Sequence, residues 1–109
     1  MSYRPLQPFK PYVTATKALA VSTTSANFPL PLNTAQLMLT TNPTDSQCYF
    51  ELGNSNSLIA VVPSGSTLGS TPLNGGTTQL FSVPLNTTYI AAITASGTAT
   101  LFITPAEGL

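Results

Sequence analysis

The side chains that could carry chemistry here are one thiol (Cys48), three carboxylates (Asp45, Glu51, Glu107) and three cations (Arg4, Lys10, Lys17), without a histidine anywhere. Acid-base catalysis draws mainly on His, Asp, Glu, Lys, Tyr and Cys with tuned pKa values, and a metal site needs several convergent ligands. In this chain those types are scarce and scattered. A Ser/His/Asp relay is excluded by the missing histidine, and a Ser/Lys pair would have to draw on Lys10 or Lys17 near the N-terminus. A glycosidase needs two carboxylates facing each other across the scissile bond, but Asp45 falls in a turn, Glu51 near a strand end and Glu107 near the C-terminus. The glycines at 65, 69, 75 and 76 precede no helical pattern, so none forms a phosphate cradle. The expectation is a protein that is not an enzyme and has no cofactor and no metal.

Cys48 has a structural reading. In Gln47-Cys48-Tyr49-Phe50-Glu51-Leu52 it stands in phase with Phe50 and Leu52 and opposite Gln47, Tyr49 and Glu51. That is the two-residue alternation of a half-buried strand, and it makes the thiol a small core residue. A lone cysteine forms no internal disulfide, so stability must come from packing.

Charged residues are only 6% of the 109-residue chain and sum to a net charge of zero. The polar surface must therefore be Thr, Ser, Asn and Gln, and it lacks the self-repulsion that keeps free proteins apart. Such a surface is expected to be covered by neighbouring subunits. Three cations cannot form the basic stripe that nucleic acid requires, so no nucleic-acid partner is expected. No span of about twenty apolar residues suggests a membrane segment, and Met1-Ser2-Tyr3-Arg4-Pro5 lacks the apolar core of a secretory signal. Asn86-Thr87-Thr88 fits a glycosylation triplet but has no secretory context.

The elements that would position these residues divide the chain into an extended, proline-rich arm, residues 1–12, and a β-sandwich domain, residues 13–109. Pro5, Pro8 and Pro11 block both helix and central strand in the arm, while Tyr3, Phe9 and Tyr12 supply anchors that a disordered tail usually lacks. Beyond it, short apolar and β-branched runs alternate with turn clusters, and no helical repeat is sustained. The expected strands are 18–22, 36–41, 47–52, 58–62, 79–83, 89–94 and 98–104. The intervening Asn42-Pro43, Gly53-Asn54, Pro63-Ser64-Gly65, Asn74-Gly75-Gly76, Pro84-Leu85-Asn86 and Ser96-Gly97 can each reverse the chain. The fold class is all-β: a single antiparallel β-sandwich or jelly roll of seven to eight short strands with an extended N-terminal arm. Residues 63–78, rich in Gly, Ser and Thr, read as a long surface loop.

Two runs, Leu58-Ile59-Ala60-Val61-Val62 and Tyr89-Ile90-Ala91-Ala92-Ile93, are apolar on both faces, and Phe102 stands among outward threonines. Each is a candidate subunit contact. A strand covered on both sides by a loop of its own domain would give the same pattern. The candidate interface is thus Tyr3, Arg4, Phe9, Lys10 and Tyr12 on the arm with Ile59, Val61 and Phe102 on the body.

From Ala18 to Gly108 the order Tyr49-Phe50-Glu51-Leu52-Gly53, a Ser/Thr/Pro loop, Gln79-Leu80-Phe81-Ser82-Val83-Pro84, Thr88-Tyr89-Ile90-Ala91-Ala92-Ile93 and Gly97-Thr98-Ala99-Thr100-Leu101-Phe102-Ile103-Thr104-Pro105 resembles the small virion proteins of tailed bacteriophages, capsid cement or decoration proteins among them. The resemblance implies a structural protein made in the host cytoplasm. It would be bound in many copies to the outer surface of the capsid, with the major capsid protein as partner and a homo-oligomer, dimer or trimer, as its form. A tail or head-tail adaptor protein and a carbohydrate-binding β-sandwich module are the alternative expectations.

Overall fold

The computed structural model describes residues 10–12, 14–31 and 34–107. They form nine strands: β1 (Lys10–Pro11), β2 (Lys17–Val21), β3 (Ala26–Pro29), β4 (Gln36–Thr41), β5 (Cys48–Gly53), β6 (Thr71–Leu73), β7 (Thr78–Ser82), β8 (Tyr89–Thr94) and β9 (Ala99–Glu107). Every pairing is antiparallel. One sheet runs β2-β9-β4-β7, with β1 continuing along the same side of β9 as β2, and the other runs β3-β8-β5-β6.

The pairings nest: β5 with β6, β4 with β7, β3 with β8 and β2 with β9. A chain folded as one long antiparallel ribbon and then rolled up, so that β9 meets β4 and β8 meets β5, is a jelly roll. All-β architecture and sandwich form are therefore as expected from the strand and turn spacing.

Alternation builds the core. Leu37 and Leu39 of β4, Leu101 and Ile103 of β9, and Leu19 and Val21 of β2 point inward from the first sheet. Cys48 and Phe50 of β5, Leu73 of β6, and Ile90 and Ala92 of β8 meet them from the second. Phe81 of β7 closes the side by packing edge-on against Phe50, ring centroids 4.8 Å apart at 63°. Such aromatic pairs add about 1 kcal/mol beyond the area they bury.

One end of the sandwich is tied by side chains bonded to backbone. Asp45, in the turn between β4 and β5, accepts the Asn42 N–H at 3.2 Å and the Thr100 N–H at 2.9 Å on the same carboxylate oxygen. Thr41, buried at the end of β4, donates to the Asn74 carbonyl at 3.0 Å and accepts the Gly76 N–H at 3.0 Å. Thr94, buried at the end of β8, donates to the Gly97 carbonyl at 2.8 Å. Gly75 is required here, because a Cβ on it would stand 2.3 Å from the Asp45 carbonyl oxygen.

Two segments differ from expectation. Residues 58–62 are not a strand. The Ala60 N–H goes to the Ser25 hydroxyl and the Val61 N–H to the Ser70 hydroxyl, so these amides are satisfied by side chains instead of a ladder. The 63–78 segment is not all loop: its end supplies β6 and the first residue of β7. Strands β3 and β6 escape the sequence pattern because each is short and contains a proline, Pro29 and Pro72, which only an edge strand tolerates.

Replacing Asp45 by Ala leaves two backbone donors without their charged acceptor and should cost about 2 kcal/mol in urea unfolding. Gly75→Ala should destabilise as well, by forcing the 42–45 and 74–77 turns apart. Stability unchanged in both variants would refute this account of the sandwich end.

Candidate interaction surface

The chemistry-bearing residues are occupied structurally. Glu51 accepts the Ser70 hydroxyl at 2.7 Å, and the same hydroxyl accepts the Val61 N–H at 2.9 Å, so the carboxylate fastens the long β5–β6 connection to the sheet. Asp45 is held by the turn it organises. Cys48 is fully buried, and that burial, with the Asp45 charge nearby, pushes its thiol from 9.0 up to about 11. Lys17 lies with its ammonium 5.3 Å from the centre of the Phe28 ring, a cation held over an aromatic face. Among the described residues no three His, Cys, Asp or Glu side chains converge as a metal site would need, and no helix is long and apolar enough to cross a membrane.

The outward faces of the two sheets are unlike. On the β3-β8-β5-β6 sheet, the long connection between β5 and β6 folds back over the outside. Asn27 donates to the Asn56 and Leu58 carbonyls, Ser25 and Ser70 hold residues 60 and 61, and Ala60 is buried beneath. This cover is why β8 is apolar on both faces: Ile90 and Ala92 point to the core, and Ala91, wholly buried, points to the overlying loop. Its two-sided pattern is thus accounted for at Ala91 by a contact within the chain. The same loop displays Ile59, 64% exposed, and Val61, 39% exposed.

The outer face of the β2-β9-β4-β7 sheet is exposed along β7 and half-buried at Met38, Thr40 and Phe102, whereas Thr104 and Ala106 toward the end of β9 are buried. Register places Ala18 opposite Phe102, Phe102 opposite Thr40, and Met38 between Thr104 and Leu80. Threonines bond across it, Thr40 to Thr78 at 3.2 Å and Thr16 to Thr104 at 2.9 Å. The outward positions of these four strands hold no charged residue. At their centre Phe102 and Met38 are half-buried, and Leu80 is 60% exposed.

The structure therefore separates the expected interface residues. Phe102 lies on the outer face of the β2-β9-β4-β7 sheet, whereas Ile59 and Val61 lie on the loop that covers the opposite sheet. Lys10 belongs to β1, paired with Glu107 of β9, and the Tyr12 N–H donates to the Pro105 carbonyl at 3.0 Å, so the chain enters the body along β9. Tyr3, Arg4 and Phe9 lie outside the described residues. Met38 and Leu80 were not expected at an interface, although their phase opposite Leu37, Leu39 and Phe81 marks them as outward.

The buried thiol makes a pH prediction. In the unfolded chain Cys48 ionises near 9.0, and in the folded chain near 11, so between these values the unfolded state has lost a proton that the native state keeps. Stability should be complete below pH 9 and fall as pH rises toward 11, and Cys48→Ala should remove that part of the decline in thermal melts. A wild-type protein alkylated rapidly at pH 8 without unfolding would contradict the burial. Compared with known protein families, curated proteins and solved structures, the chain matches none.

Proposed function

We propose that this chain is a structural virion protein of the capsid cement or decoration type. It binds the assembled head of a tailed phage on its outer surface and stabilises it through contacts with the major capsid protein and with its own copies. The observation that carries this reading is the outer face of the β2-β9-β4-β7 sheet: free of charge in its outward positions, rich in threonine, and carrying Phe102, Met38 and Leu80 side by side from β9 to β7. A monomer gains little from presenting such a face to water, whereas an interface gains from covering it. The body is a jelly roll, an architecture that serves in viral shells as well as in lectins and cupins. The reactive side chains in Asp45, Glu51 and Cys48 serve the fold, which favours work by contact over work by reaction.

A protein that binds only the assembled shell shifts the equilibrium toward that shell by mass action. In this reading the proline-rich leader, residues 1–9, carries Tyr3, Arg4 and Phe9 as anchors for a neighbouring subunit, and it precedes β1, which pairs with β9.

The test is co-sedimentation of purified protein with heads of the phage that encodes it. Wild type should saturate at hundreds of copies per head, whereas a ring-shaped adaptor would saturate at about a dozen or fewer. Deleting residues 1–9 should abolish binding while the melting temperature stays near that of the full chain, because the β1–β9 pairing is retained. Phe102→Asp should weaken binding by about 2 kcal/mol, roughly thirty-fold in Kd. Unchanged occupancy for both variants would refute the assignment.

A further inference from the structure

A sheet that ends in an open strand offers a row of unpaired backbone groups, and natural proteins blunt such edges with charge, proline, brevity or inward-pointing cations. Three edges of this sandwich carry such a device. Strand β3 contains Pro29, β6 is three residues long and contains Pro72, and β2 begins at Lys17, whose ammonium is held over Phe28. Strand β7, Thr78-Gln79-Leu80-Phe81-Ser82, has none of them: it holds neither a charge nor a proline, spans five residues, and all but Phe81 are exposed.

The direction of its free groups follows from the ladder. The Val83 N–H donates to the Ala35 carbonyl at 2.9 Å, and the Thr77 carbonyl accepts the Thr41 N–H at 3.2 Å. Alternate residues of an antiparallel strand send both backbone groups to the same side, so residues 77, 79, 81 and 83 face β4. The N–H and C=O of Thr78, Leu80 and Ser82 therefore point away from the sheet.

We propose that two copies of this chain join edge to edge through β7, antiparallel about a two-fold axis at Leu80, to make one continuous sheet across the dimer. In that register Leu80 meets Leu80 of the second copy and Thr78 meets Ser82, each pair exchanging both backbone hydrogen bonds. The strand suits itself as a partner because it carries no charge to repel its copy. Its outward Leu80, beside Met38, would be covered by the matching pair from the other subunit. Inward, Gln79 would close over the exposed side of Phe81 of the second copy. The inference deepens the proposed homo-oligomer by choosing a dimer over a trimer, since a two-fold pairing cannot close a ring of three. It is tested on free protein, so its failure and a failure of head binding are separate results.

The experiment is sedimentation velocity on the purified full chain over a dilution series, with amide hydrogen exchange on the same sample. Wild type should run at twice the 11.3 kDa monomer mass, and the amides of Thr78, Leu80 and Ser82 should be protected and lose protection on dilution. Leu80→Lys puts two lysines directly opposite each other, on Cα atoms about 5.5 Å apart across the axis, and should halve the mass while leaving the far-ultraviolet dichroism unchanged. Leu85→Lys, on a 94% exposed turn residue away from the edge, should remain dimeric. A wild-type monomer, a trimer, fast exchange at Leu80 in a dimeric sample, or a dimer that survives Leu80→Lys would each overturn the proposal.

Discussion

The register of β9 is the constraint on which the rest of this body depends. It pairs with β2 and β1 on one side and β4 on the other, so three separate stretches of chain take their position from it. Its start is set by one carboxylate: Asp45 holds the Thr100 amide and the Asn42 amide together, fixing β9 against the turn that leaves β4. A slip of one residue would carry Leu101 and Ile103 out of the core and put Phe102 and Thr100 into it. A charge-poor chain has few ion pairs with which to fix such a register. It uses hydroxyls, amides and this single carboxylate instead.

The threonines accordingly do two kinds of work. Thr40, Thr78, Thr16 and Thr104 bond to one another across the outward face, where β-branched side chains suit a pleated surface. Thr41 and Thr94 are buried at strand ends and bond to turn backbone, so their hydroxyls replace the water that those carbonyls would otherwise bind. Composition reveals the abundance of threonine but not this division, which depends on strand ends meeting in space.

Legibility in the sequence followed the same line. Strands β4, β5 and β9 were readable because alternation of Leu, Phe and Ile against Thr, Gln and Glu states both the period and the face, and β8 was readable as a short apolar run between turn signals. The run 58–62 misled because apolar content signals burial, not pairing: Ala60 is buried with its amide bonded to Ser25, 35 residues away, and the Val61 amide is bonded to Ser70, 9 residues away. Strands β3 and β6 were hidden by their prolines, which are tolerable only because both occupy edges, a fact of topology. For the interaction surface, Phe102 was visible as an apolar residue among threonines. Met38 and Leu80 became its neighbours only through the β9–β4–β7 register.

Nesting has a consequence for how the molecule is made. On a ribosome the inner hairpin of β5 and β6 is available first, and each later strand must find a partner farther back along the chain, with β2 waiting for β9. Closing such distant pairs is slow, and until synthesis reaches Ala99 one edge of β4 and the edge of β2 have no partner strand. The nascent polypeptide is thus most exposed to wrong association just before it is finished, and an uncharged sequence has little repulsion with which to resist it.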